Sequence, residues 1–195
     1  AATEFTALEG ATRRETTARI EAYLSGISSI VANFTQISSD GSTGEGMFFM
    51  KRPGKVRWQY NPPTPILMVT RGSFLTYYDY DLEQVNYIPL DSTLIGFLAQ
   101  PVINLNDKVG IISLESTAGA IRIGLAQRDK RDEGELVLEF SDKPLLLRNF
   151  VVTDASNQVT TVALNNAKFG VELDKKLFDF RDPRKEWRHA PLKHG

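Results

Sequence analysis

The side chains able to do chemistry are few, and they are scattered. Asp79 and Asp81 flank Tyr80 two positions apart. Extended, they share a face, where paired carboxylates could hold a divalent cation or serve acid–base work. Folded back, the same triplet is a solvated turn between two strands. Gly41-Ser42-Thr43-Gly44-Glu45-Gly46 has the glycine density of a phosphate-binding loop, but Met47 stands where such a loop needs Lys followed by Ser or Thr. It reads instead as a hairpin loop. Both histidines, His189 and His194, fall near the end of the chain, a placement unsuited to a His-based triad or metal cluster. The 195 residues include no cysteine, so they hold no thiol nucleophile, thiolate metal site or disulfide. This inventory leads to the expectation of no enzyme, no cofactor and no metal.

Charge narrows the partners. With 23 Lys+Arg against 24 Asp+Glu the formal net charge is −1, and phosphate backbones call for a clear basic excess, so no nucleic acid is expected. At 42% hydrophobic and 24% charged the composition is that of an ordinary globular chain, expected to form a single domain over 1–195. The longest apolar runs, such as Met47–Met50 and Ile66–Val69, fall far short of the ~20 residues a membrane helix needs, so the chain is expected not to be membrane-embedded. The start, Ala1-Ala2-Thr3-Glu4-Phe5, shows no basic-then-apolar leader, and the absence of an initiating Met is compatible with a leader already removed.

The residues that stand out lie on one strand face. Phe48, Met50 and Arg52 align by the period of two. A guanidinium in line with two large apolar side chains needs acceptors such as backbone carbonyls if that face is buried. If Arg52 sits at the strand end it reaches solvent instead. Across the Pro53-Gly54 turn, Val56, Trp58 and Tyr60 share one face of the next strand, with Lys55, Arg57 and Gln59 on the other.

Positioning these residues requires mostly strands. Ile20, Tyr23, Leu24, Ile27, Ile30 and Val31 recur at three- and four-residue spacing and predict an N-terminal helix, with Thr12 and Glu15 as its capping box. From about Phe34 the period is two. Strands follow at Gly46–Arg52, Lys55–Tyr60, Ile66–Thr70, Phe74–Asp79, Glu83–Ile88, Ile111–Glu115, Ala120–Ala126, Glu135–Phe140, Leu145–Thr153 and Gln158–Val171. Between them, Leu90, Leu94, Phe97 and Leu98 return to helical spacing, with Ser92 as a cap and Pro101 as a stop. One helix, about eleven consecutive strands and a short helical insert indicate the α+β class, as a curled sheet or open barrel.

In this frame the segment Lys51-Arg52-Pro53-Gly54-Lys55-Val56-Arg57-Trp58-Gln59-Tyr60 resembles the signature of the outer-membrane lipoprotein carrier (LolA) family. Val31-Ala32-Asn33-Phe34-Thr35-Gln36, Gly44-Glu45-Gly46-Met47-Phe48, Pro65–Gly72, Leu75–Asp79 and Leu177-Phe178-Asp179-Phe180 resemble other parts of it in the same order, so the match covers most of 12–182. The resemblance implies an unclosed antiparallel β-barrel with an N-terminal helix and a short helical lid over an apolar cavity. It implies a periplasmic carrier, expected to be monomeric. Its partners would be acylated lipoproteins, an inner-membrane ABC transporter complex and an outer-membrane acceptor. Arg52 inherits the role of an internal latch bonded to the lid, and Trp58 that of the family's internal tryptophan. The family's receptor relative carries an N-terminal Cys, so a chain without cysteine is expected to be the soluble carrier. The tail 181–195, with Trp187, matches no feature of the family.

The residue types fit such a cargo. Exposing an acyl chain to water costs about 0.8 kcal/mol per CH₂, so a carrier must offer apolar wall that its core leaves free. Phe48, Met50, Val56, Trp58, Tyr60 and Met68 suit the wall, and Leu94, Ile95, Phe97 and Leu98 suit a lid that Gly96 weakens. Two alternatives stay open: a carrier of another lipid, such as a free lipid or terpenoid, and a metal-dependent enzyme using Asp79 and Asp81.

Overall fold

The structure, a computed structural model, describes residues 3–186, with Leu94, Lys185 and Glu186 described by backbone alone. The end of the chain, with Trp187, His189 and His194, lies outside the described residues. In chain order the elements are β1 (Thr6–Ala7), α1 (Gly10–Gly26), β2 (Ser29–Ser38), β3 (Thr43–Lys51), β4 (Lys55–Tyr60), β5 (Ile66–Arg71), β6 (Phe74–Asp79) and β7 (Gln84–Pro89). A 3₁₀ turn (Leu90–Ser92) leads into α2 (Leu94–Leu98). Then come β8 (Val109–Thr117), β9 (Ala120–Gln127), β10 (Gly134–Ser141), β11 (Leu146–Asp154), β12 (Val159–Phe169), a 3₁₀ turn (Lys175–Phe178) and α3 (Pro183–Glu186).

The strands form one 12-stranded antiparallel sheet in the order β1-β8-β9-β10-β11-β12-β2-β3-β4-β5-β6-β7. Its terminal strands β1 and β7 do not pair with each other, so this α+β architecture is an unclosed barrel. The strand beyond the eleven expected is β1. It is two residues long, pairs only with Ser116 and Glu115, and is too short to carry a periodic pattern.

The helix begins earlier and ends earlier than its spacing suggests. Gly10, at φ +57°, turns the chain into α1 after Glu9, which makes no side-chain cap bond. Thr12 and Glu15 therefore lie inside the first turns and form no capping box. At the other end Ile30 and Val31 belong to β2, where they pair with Met50 and Phe49. Two β-branched residues find more in a paired strand than in a frayed last turn. Ile20 and Leu24, with Ile27 just past its end, hold one stripe of α1 in the core, at 6% exposure or less.

The seam β2–β3–β4 sets the interior wall. Opposed residues of antiparallel strands point the same way, so Ala32, Phe48 and Trp58 form one row and Ile30, Met50 and Val56 the next. In the adjoining row Phe34, Gly46 and Tyr60 align, and the Phe34 and Tyr60 rings meet edge to face at 5.1 Å. Gly46 allows this approach. A Cβ there would stand 1.9 Å from the Gln59 carbonyl oxygen and 2.9 Å from Tyr60 Cα, both fixed backbone. Tyr60 Oη donates to Gln36 Oε1 at 2.7 Å. Burial pushes its pKa up to about 12.

A second, smaller cluster lies on the opposite face of the sheet. Trp58 opposes Met68 on the inner side, so Leu67 and Val69 point outward. They pack there with Tyr78, Val85 and Phe180, and Arg57 Nη1 donates to Leu177 O at 3.1 Å. The segment after β12 therefore crosses the outside of β4–β7.

Gly46→Ala should lower stability by about 3 kcal/mol, the upper range for overpacking, read as a lower urea midpoint at unchanged m-value. For Tyr60, the unfolded phenol gives up its proton near pH 10 and the folded one near 12. Its stability contribution is thus whole below pH 10 and lost as pH rises from 10 toward 12. Urea titrations across that window should show wild type losing more stability than Tyr60→Phe.

Candidate functional site

Arg52 continues the row Met50–Phe48 just past the end of β3, and its backbone is tied on both sides. Its N–H donates to Ser28 O at 3.0 Å, and the Gly54 N–H donates to Ala99 O at 2.7 Å. The turn Arg52-Pro53-Gly54, with Gly54 at φ +67°, is thereby bound to the start of β2 and to the end of α2. From this position the guanidinium reaches inward. Nη1 donates to the Leu24 and Ile27 carbonyls, and Nη2 donates to Leu98 O at 2.8 Å.

These acceptors are where two helices end. Leu24 O is among the last carbonyls of α1, and Leu98 closes α2. Leu24 O also accepts from the Ile27 N–H at 3.3 Å, and these carbonyls lie at the negative ends of the two helix dipoles, so one cation serves both ends. Among the described residues no carboxylate forms an ion pair with Arg52. Burial alone draws its pKa below the ordinary arginine value, and the group stays charged. Its Nε is buried without a partner among the described residues, which costs about 1–3 kcal/mol.

Beneath Arg52 the wall is packed. Phe48, Met50 and Val56 are at most 2% exposed. Trp58 lies edge to face with Phe34 at 5.3 Å and Phe48 at 5.0 Å, and Phe48 meets Phe150 at 6.1 Å. The Trp58 indole Nε1 is buried with no acceptor. Trp58 and Tyr60 are half-buried against the core, and Met68, on the same face one strand on, is also half-buried. Among the described residues a cavity of about 10 Å³ lies between Leu24, Met50, Arg52, Leu98 and Phe150, no more than one water needs.

The insert closes this interior. Phe97 and Leu98 are buried in the core and Ile95 packs against it, while of Leu94 only the backbone that opens α2 is described. The cap is Thr93, not Ser92. Thr93 Oγ1 accepts from Gly96 N at 3.0 Å and donates to Leu90 O at 2.7 Å, whereas Ser92 Oγ donates to Pro89 O. Gly96 is a close-approach position rather than a weak point, since a Cβ would stand 1.9 Å from Leu90 O. Beyond α2 the chain is pinned to α1, where Ser25 Oγ accepts from Ile103 N at 3.1 Å and Glu21 Oε1 from Leu105 N at 2.9 Å.

The other candidate residues do not assemble. Asp79 Oδ1 accepts from the N–H groups of Asp81 and Leu82 at 2.9 and 3.0 Å, so its carboxylate shapes the β6–β7 turn while Asp81 faces solvent. Among the described residues no group of three His, Cys, Asp or Glu side chains is placed to hold a metal. Asp40 Oδ1 accepts from Ser42 N at 2.8 Å, making the glycine-rich segment a hairpin turn. Sequence reasoning named Arg52, backbone carbonyls as the acceptors it would need if buried and, by resemblance, the lid as its partner, but not which carbonyls accept. Backbone carbonyls have no residue code, and only the end of a predicted helix signals where unpaired ones lie.

Residues 25–181 match the family described as Outer membrane lipoprotein carrier protein LolA. The outer-membrane lipoprotein carrier protein of Methylococcus capsulatus is 30% identical over 89% of this chain and 88% of its own. That of Azotobacter vinelandii is 29% identical over 85% and 83%. Among solved structures, a putative outer membrane lipoprotein-sorting protein domain from Vibrio parahaemolyticus shares the fold at a TM-score of 0.51, with 13% identity over 84% of this chain and 95% of that one. With the family match running from the last residues of α1 through the Phe-x-Phe segment, the chain belongs to the outer membrane lipoprotein carrier protein LolA family.

Proposed function

We propose that the chain is a non-catalytic, monomeric carrier of the periplasm, folded as one domain. It would take acylated lipoproteins from an inner-membrane ABC transporter complex, shelter their acyl chains beneath α2, and pass them to an outer-membrane acceptor. The observation that carries this reading is the Arg52 guanidinium bonded at once to the end of α1 and the end of α2. Among the described residues it is the cation bonded to both helix ends, so separating the two helices breaks its bonds.

The mechanism follows from competing energies. Each CH₂ moved from water into the interior returns about 0.8 kcal/mol. The closed interior is filled, so acyl chains enter only as α2 and the loop after it move away from Phe48, Met50, Val56 and Trp58. Opening gives up the bond to Leu98 O, a charge-assisted bond of about 1.5–3 kcal/mol. That loss favours return to the closed state once cargo leaves. Arg52 therefore sets the balance between holding and releasing, and a carrier with no energy source of its own hands cargo downhill to a better binder.

Native mass spectrometry of the chain with a triacylated lipoprotein should show a one-to-one complex; binding of free fatty acid but not of lipoprotein would sink the carrier reading. Arg52→Leu should load cargo and release it at least about tenfold more slowly to an acceptor, one bond's worth of free energy. Unchanged loading and release would remove the latch. The double variant Asp79→Asn/Asp81→Asn should keep lipoprotein binding and transfer within about twofold in the same assays, as expected of exposed turn residues.

A further inference from the structure

Outside the lid the surface holds a groove of about 1320 Å³, larger than the ~300–1,000 Å³ typical of small-molecule sites and so suited to a length of polymer. Its inner wall is formed by Pro53, Gly54, Gly96 and Ala99, and its outer rim includes Arg71 and Phe74, both exposed at the β5–β6 turn. The residues next in sequence to that wall, Arg52 and Leu98, line the interior cavity. The two spaces are therefore one residue apart. What holds the partition shut is the Gly54 N–H to Ala99 O bond on the groove side and the Arg52 Nη2 to Leu98 O bond on the interior side.

We infer that this groove holds the polypeptide of the cargo, the extended segment that follows its acylated residue, while the acyl chains lie beneath α2. The inference rests on the carrier reading above and adds a second subsite to it. An acylated protein cannot be enclosed whole. Its peptide must leave the interior where the partition parts, and the partition parts onto this groove. The chemistry suits a backbone rather than one sequence. Lys55, Arg71 and Arg181 stand with Asp91, Asp179 and Asp182 around the groove, so neither sign of charge dominates. Phe74, 44% exposed, offers apolar contact at the rim. Such a groove accepts differing tethers and adds affinity common to all of them.

Binding of two fluorescent lipopeptides with the same triacylated cysteine tests this. One ends in a dipeptide; the other carries about a dozen uncharged polar residues, roughly 40 Å when extended. The long form should bind wild type about tenfold more tightly, and Phe74→Asp and Arg71→Glu should each erase most of that difference. The short form should bind both variants as it binds wild type, which also reports that they are folded. Equal weakening of both lipopeptides would place acyl chain in the groove and overturn the inference, as would long-form affinity that neither variant changes. Failure of wild type to bind either lipopeptide would overturn the carrier reading itself and the groove with it.

Discussion

One half-buried cation organises this molecule. Arg52 ends the interior row of β3 and donates to the carbonyls where α1 and α2 stop. It is the donor that joins the two helix ends at the barrel mouth. Elements from three separate stretches of chain thus depend on one side chain, and none of its partners is a charged group. The arrangement is polar enough to need satisfying and has no ion pair to lock it.

The interior around it is built to the same compromise. Phe48, Met50, Val56 and Trp58 make a wall of large side chains, yet the space they face is filled by α1, Leu98 and β11 down to a cavity of about 10 Å³. An apolar cavity left open to water would be costly and sticky, whereas a filled one is stable and must be unpacked to admit anything. Among the described residues Arg52 Nε and Trp58 Nε1 are buried without an acceptor, an unmet cost within this packed interior. The segment that would move is fixed mainly at its ends. Thr93 caps its start, Ser25 and Glu21 hold the loop that follows it, and Arg52 and Gly54 hold the close of α2.

Much of this was legible in the chain. Alternation placed Val56, Trp58 and Tyr60 on one face because a strand has a period of two whatever surrounds it. The Arg-Pro-Gly turn and the ordered resemblance that follows it pointed to the right family and the unclosed barrel. Misreadings arose where local signals compete with distant ones. Ile30 and Val31 continue the helical spacing but are claimed by pairing with β3, and Thr12 looks like a cap because nothing local announces that Gly10 turns the chain first. Gly96 reads as a weak helix residue until Leu90 O is seen to occupy the place of its side chain. The C-terminal Phe178–Phe180 segment reads as an ending, and only its packing on Tyr78 and beneath Arg57 shows that it covers the outer face.

By itself, then, the sequence determined the element types, the apolar face of each strand, and the presence of one arginine in an apolar row, since these depend on residue chemistry and short-range periodicity. Tertiary structure alone decided which atoms that arginine meets, whether the wall it crowns faces a void or a packed core, and how thin a partition separates the interior from the groove outside. The reason is physical. Those outcomes rest on backbone carbonyls and close approaches between segments dozens of residues apart, and neither leaves a mark in the identity of any single residue.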